Sequence, residues 1–383
     1  MKNACTRRQF IHAVGATAAS LWLPRPRLCL GSEAPTAPVS VAKCPAYGPE
    51  VLPTLARMFD QLGGMERLVK GKTVAIKLNM TGNATTRLGH LAPEVTYWVH
   101  PQVIGATVHL LGKAGAQRIR LLESVMSTAE PLEEFMLQAN WEPRDFSSAA
   151  PRVEFENTNY LGKGKKYPRF WVPGGGLMYK AYDLNHSYED CDVFVSIAKL
   201  KEHRTAGITL AMKNCFGNTP CTIYGDKAPE DEPSPEPRGG RGIFHDGKRQ
   251  PPKSALPEND PRSPREGGYR VPRVVVDLVA ARPIHLAIID GIETMSGGEG
   301  PWAGSRPVRP GLLIAGTNCV TTDAVATALM GFDPMADRGA PPFETCDSTL
   351  RLAEQLGLGT RDLSRIEVVG TPISKGVFKF RAA

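Results

Sequence analysis

Short apolar runs alternate with helically spaced stretches through most of this chain, and that alternation narrows its fold more than any other feature. Thr73–Leu78 is a strand-length run. Pro101–Ala114 has helical spacing, opens at His100-Pro101 and stops at Gly115, and Arg118–Leu122 is again a strand. The order recurs, with strands expected at Val153–Glu156, Asp192–Ile197, His285–Ile289 and Leu312–Ala315. Helices are expected at Val51–Leu68 (broken at Gly63-Gly64), Glu130–Gln138, Arg273–Ala281 and Thr321–Met330. Leu350–Gly357 and Ile366–Val369 are expected to complete the sheet. Strands alternating with helices predict an α/β fold: a mainly parallel, Rossmann-like layered sheet with helices on both faces.

Four segments follow. Residues 1–34 read as a leader, 35–70 as an N-terminal extension with the first helix, and 71–383 as the α/β domain, interrupted by a Pro-rich insertion at 226–272. Pro35–Pro49 is expected to be extended or unstructured, because proline dominates it. The insertion combines many prolines with dense mixed charge, so a long surface excursion is expected. One apolar island, Gly242-Ile243-Phe244-His245, is expected to touch the body. Leu161–Val172, with Lys163, Lys165, Lys166 and Arg169 beside Tyr167, Phe170 and Trp171, reads as a hairpin with a solvated basic face.

Thr6-Arg7-Arg8-Gln9-Phe10-Ile11 followed by the apolar run Ala13–Leu23 has the form of a twin-arginine signal, with Ser32-Glu33-Ala34 as a cleavage site. The run is too short to span a bilayer, so no stable membrane anchor is expected. The export machinery is then a partner and the periplasm the destination. Lys2, Arg7, Arg8, Arg25 and Arg27 less Glu33 account for +4 of the net +7, leaving +3 on the mature chain. That is too little for a nucleic-acid binder. No C-x-x-C occurs, so no iron–sulfur cluster is expected. Cys215 and Cys221 are the best local disulfide pair, with buried free thiols as the alternative.

Polar residues gather where strands end. Lys77 and Asn79 close one strand. Lys199, Lys201 and His203 follow another, with Lys213 and Asn214 on the helix-like stretch after it. Asp290 and Glu299 follow a third. In a parallel sheet those ends share one edge, so the side chains are expected to meet in one cleft. Lys77, Asn79, Lys201, Asn214 and His245 are candidates to hold an anionic small-molecule ligand. Lys199, His203 and Lys213 are candidates for chemistry, with His203 as the acid–base group because unperturbed histidine titrates near neutrality. Asp290, Glu299 and Asp323 are either hard oxygen ligands for a divalent metal or partners of the lysines. Asp323 also fits a carboxylate that complements its own helix dipole.

Lys77-Leu78-Asn79, His100-Pro101, Lys199-x-Lys201-x-His203, Thr209-x-Ala211-x-Lys213-Asn214-x-x-Gly217, Asp290-Gly291, Glu299-Gly300-Pro301 and Asp323-Ala324-Val325 occur in an order that resembles the bacterial and archaeal family called domain of unknown function 362. The resemblance covers most of Lys72 to Asp333. It implies an α/β fold but no established activity. Some relatives carry a ferredoxin-like module with clustered cysteines, which this sequence lacks. The functional expectation is an exported enzyme acting on a small anionic substrate, with or without a metal. The alternative is a non-catalytic periplasmic binding or accessory protein for a small anion, a metal or a redox partner.

Overall fold

A computed structural model describes residues 34–125, 131–231, 233, 237 and 239–381. The twin-arginine stretch lies outside the described residues, as does Glu130 at the start of one expected helix. Eight strands form the main sheet: β1 Val39–Lys43, β2 Thr73–Lys77, β3 Arg118–Glu123, β4 Val153–Asn157, β5 Val193–Lys199, β6 Leu286–Gly291, β7 Leu312–Gly316 and β8 Val368–Gly370. Their spatial order is β8-β1-β7-β6-β5-β2-β3-β4. Every neighbouring pair is parallel except those of β7, which runs against both β6 and β1. The sheet is therefore mixed but mostly parallel. From β2 the chain winds outward through β3 and β4, then returns to β5 on the other side of β2 and winds away through β6. The β2–β5 boundary is thus a topological switch point, where the loops leaving two adjacent strands diverge and open a crevice.

The main helices are α1 Val51–Gln61, α2 Pro101–Lys113, α3 Leu132–Gln138, α4 Leu210–Asn214, α5 Gly267–Ala281, α6 Cys319–Leu329 and α7 Thr349–Gln355. Side chains of a strand alternate between faces, and here they split cleanly between two apolar layers. Val74, Ile76, Val193, Val195, Ile197 and Ile288 pack with α1, α2 and α3. Ala75, Phe194, Ala287 and Ile289 pack with α4, α5, α6 and α7. Burial on both faces is why these strands read as continuous apolar runs. Among the described residues no helix is long and apolar enough to cross a membrane.

Several expectations are corrected. The Pro35–Pro49 segment contains β1, which pairs antiparallel with β7 and parallel with β8, so residues 35–70 contribute a strand to the sheet itself. Its prolines lie outside Val39–Lys43, and buried Val39 and Val41 supply the inward face. Leu350–Gly357 is helical rather than a strand, because Leu350 and Ala353 recur at helical spacing and are buried against the α5–α6 layer. The helix expected from Arg273 begins at Gly267 and contains Pro272, whose ring removes a single early hydrogen bond, to the Gly268 carbonyl. The basic hairpin pairs Arg169–Trp171 with Ala181–Asp183. Cys215 and Cys221 are buried free thiols; the other four described cysteines are free too, buried except for half-buried Cys191. Of the insertion, Arg241, Ile243, Phe244 and Arg270 are buried, so this part of it is packed into the body.

Candidate functional site

Beyond the carboxyl ends of β2, β3 and β5 lies a cavity of about 360 Å³, within the size range of small-ligand pockets. Lys77, Asn79, Lys201, His203, Lys213, Asn214, His245 and Glu299 all line it. These eight come from two strand ends, α4, the insertion and the Gly297–Gly304 loop. Lys199, Asp290 and Asp323 do not line it.

Pleating explains the floor. Lys77 shares its face of β2 with Ala75, toward α4, and its ammonium meets Glu123 Oε1 at 2.7 Å, with both side chains buried. Glu123 also accepts from the Met80 and Ser124 backbone N–H groups at 2.9 Å each. Lys77 Nζ reaches Asn214 Oδ1 at 3.3 Å, and Asn214 Nδ2 donates to Ser196 Oγ at 3.0 Å, tying α4 to β5. A Cβ on Gly217 would lie 2.9 Å from Lys77 Nζ, so this glycine lets the backbone pass over the ion pair.

The wall is basic. Lys201 Nζ donates to the carbonyls of Tyr97 at 2.7 Å and Glu299 at 3.0 Å. Arg241 donates through Nε and Nη2 to the Thr219 carbonyl at 2.9 and 2.7 Å and through Nη2 to Ser124 Oγ at 2.7 Å; its Nη1 has no partner among the described residues. Lys213 differs from both. Its ammonium lies 4.2 Å from the centre of the Phe216 ring, and among the described residues it has no hydrogen-bond or ion-pair partner. Burial, opposed by Glu299 and reinforced by Arg241 and Lys77, pushes its pKa down to about 7. Glu299 is held by the Arg204 N–H at 3.1 Å and the Trp302 indole at 2.9 Å. Trp302 is 48% exposed and meets Tyr97 edge-on, at the rim.

His203 takes a role other than the expected one. Burial first, then the charges of Lys213, His245 and Lys201, push its pKa well below 6.5, so the imidazole stays neutral near neutrality. The Thr205 N–H donates to its Nδ1 at 3.2 Å, which leaves Nε2 as the proton-bearing nitrogen. Among the cavity lysines, Lys213 has a pKa pushed to about 7, and burial first, then the charge of Lys213, pushes Lys201 well below 10.5 as well.

Lys199 is not a cavity residue. It stands opposite Asp290 in the β5–β6 ladder, and it shares the face of Val195 and Ile197, toward α2. Its Nζ bonds Asp290 Oδ2 at 2.9 Å, Tyr47 Oη at 2.8 Å and the Glu94 carbonyl at 2.8 Å, and both charged side chains are fully buried. The expected metal set is therefore not assembled. Asp290 is committed to Lys199, Asp323 lies below α4, and Glu299 stands in the rim loop. Among the described residues no three His, Cys, Asp or Glu side chains converge to hold a metal ion.

Asp323 caps a neighbouring helix instead of serving its own. Its two carboxylate oxygens accept from the Ala211 and Met212 N–H groups at 2.9 Å each, at the start of α4. α4 begins at Leu210, whose φ of 44° is left-handed, and Arg241 is left-handed too, with φ of 61°. Strained backbone of this kind persists only where its surroundings hold it. Asp323→Ala is expected to cost about 1–3 kcal/mol by orphaning two buried N–H groups. Burial pushes the Asp323 carboxyl up to about 7 from its ordinary 3.8, against those two hydrogen bonds. The folded state thus holds a proton that the unfolded chain has released, and stability from this group falls as pH rises through that window. Asp323→Asn should flatten the decline, as read by Tm against pH.

Reasoning from sequence missed Arg241, Phe216, Thr209 and Trp302, all of which line the cavity. The signal for Arg241 was its place between Gly240 and Gly242, immediately before the apolar island. Comparison with known proteins finds similarity to the thylakoid-associated protein sll1697 of Synechocystis sp., 24% identical over 299 residues, covering 77% of this chain and 75% of that protein. A crystal structure of a protein from Thermotoga maritima is 13% identical, with a TM-score of 0.34 over 66% of this chain and 51% of its own. The model of the family described as Domain of unknown function (DUF362) matches residues 74–328, well over half of the sequence, and the chain belongs to that family.

Proposed function

We propose that this chain is an exported enzyme that binds a small anionic substrate in the cavity at the β2–β5 crevice, with Lys213 as its proton-moving group. The observation that carries the reading is the Lys213 ammonium, set at the cavity with no hydrogen-bond or ion-pair partner among the described residues and only the more distant charge of Glu299 to offset it. A charge with no directly bonded partner in that position is costly unless a ligand completes it. The basic groups of the lining, Lys77, Lys201, Arg204, Lys213 and Arg241, outnumber its carboxylates, Glu123 and Glu299, and Glu123 is already taken by Lys77. Arg241 Nη1, Lys201 and neutral His203 are the donors for the anion. Lys213, with a pKa pushed to about 7, has the proton affinity suited to acid–base work at neutral pH. The reading uses no carboxylate metal set, because Asp290 and Asp323 are committed elsewhere.

An anion placed beside Lys213 raises its proton affinity. Binding at pH 8 should therefore take up a proton, and binding at pH 5, where Lys213 is already charged, should not. Calorimetry with oxalate in two buffers of different ionisation enthalpy reads this directly. Equal binding heats in both buffers at pH 8, or no oxalate binding at all, would contradict the reading.

Export is supported by the Thr6–Ile11 signature and the apolar run after it. Changing Arg7 and Arg8 together to lysine should leave the precursor in the cytoplasm on cell fractionation. Unchanged periplasmic accumulation would count against the twin-arginine route.

A further inference from the structure

Of the lysines lining the cavity, Lys213 is the one whose amine has no hydrogen-bond or ion-pair partner among the described residues. Lys77 is bound to Glu123 at 2.7 Å, and Lys199 lies outside, bound to Asp290 at 2.9 Å. Lys201 is fixed by two backbone carbonyls. Among the described residues Lys213 makes no hydrogen bond or ion pair and rests on the face of Phe216. Burial against an apolar wall, with the cations Arg241 and Lys77 nearby, outweighs Glu299, and these are the conditions that keep a lysine amine neutral and reactive. Around it stand the parts that a carbonyl substrate requires. Arg241 Nη1 and the Lys201 amino group can donate to a carboxylate, and the His203 Nε2–H can polarise a carbonyl oxygen.

We propose that Lys213 forms a Schiff base with the carbonyl carbon of a small 2-oxo acid; this rests on the anion-site reading above. The Lys213 nitrogen lone pair forms the C–N bond while the C=O π pair moves to oxygen. That oxygen takes up two protons in all, matching the two that the amine gives up, and leaves as water. Net, amine and ketone or aldehyde become imine and water, with no oxidant or reductant consumed. His203 Nε2–H is the hydrogen-bond donor at the oxygen, and Arg241 with Lys201 fixes the carboxylate, so that the carbonyl faces the amine.

The test uses the mature full chain, glyoxylate as the probe and cyanoborohydride as the trapping reductant. The expected result is a mass gain of one carboxymethyl group per chain, mapped to Lys213 by peptide analysis and suppressed by oxalate, which has no ketone or aldehyde carbonyl to condense. Labelling should rise by about tenfold between pH 6 and 8 and then level off, following the neutral fraction of an amine with a pKa of about 7. Exposed lysines would keep gaining through that range. Lys213→Arg keeps a cation and loses the nucleophile, so it should bind oxalate and lose the oxalate-suppressed adduct. Glyoxylate binding in the calorimeter without an adduct at Lys213 would overturn the Schiff base and leave the anion site standing. Trapping at Lys201, or spread over surface lysines, would overturn the assignment to Lys213. Failure of both oxalate and glyoxylate to bind would remove the anion site and this inference together.

Discussion

Lys213→Met should lose anion affinity by on the order of a hundredfold while its Tm stays level or rises. The loss follows from deleting a charge-assisted contact in a desolvated pocket, worth about 1.5–3 kcal/mol. The stability follows from the missing counter-ion: wild-type Lys213 sits over Phe216 with nothing negative bonded to it. Its pKa is about 7 in the folded protein, against an ordinary 10.5. The folded state therefore binds fewer protons than the unfolded chain between those values, and wild-type stability from this group rises with pH across them. Below about pH 7 the folded protein bears the full penalty of charging Lys213, so the gain from Lys213→Met should be largest there and vanish above pH 10. Thermal melts across pH, alongside oxalate titration, separate this outcome from a scaffolding role, in which Tm and affinity would fall together.

Lys199→Met should have the opposite signature. Removing the lysine strands the fully buried Asp290 carboxylate, and breaking such a pair from one side costs about 3–5 kcal/mol. Tm should drop by on the order of 10 °C. Asp290 would retain Tyr47 Oη at 2.8 Å and the His100 N–H at 2.9 Å, which soften the loss without replacing the charge. Protein that survives at low temperature should still bind oxalate, since Lys199 does not line the cavity. Adding Asp290→Asn should recover part of the stability, because the stranded charge then disappears. An anion affinity lost in Lys199→Met with Tm unmoved would return Lys199 to the functional site.

The contrast between these two lysines marks how far the sequence could be read. Convergence was legible, because in a parallel sheet the residues that follow β2, β3 and β5 must emerge on one edge. Asn79, Lys201 and His203 obey that rule. Lys199 is one residue too early. It is still inside the β5–β6 ladder opposite Asp290, where pleat parity sends it toward α2. Asp323 was legible as a helix carboxylate, but the backbone it serves belongs to α4, 111 and 112 residues away in sequence. Strand β1 was hidden by the prolines around it. The roles of His203 and Lys213 depend on burial and on charges brought near by the fold, Lys213 acting on His203 and Glu299 and Arg241 on Lys213, which no local pattern carries. Arg241 enters from the Pro-rich insertion through a left-handed backbone turn, and only tertiary packing brings it to the cavity.

The protonation state of one amine tests the central claim most directly. Lysine labelled with carbon-13 at the ε-carbon, with the Lys213 resonance assigned by its absence in Lys213→Arg, can be titrated by NMR with and without oxalate. The expected midpoint is about 7 in the free protein, moving upward when oxalate saturates the site. A midpoint near the ordinary 10.5 that oxalate leaves unmoved would contradict an anion site built on an unpaired Lys213.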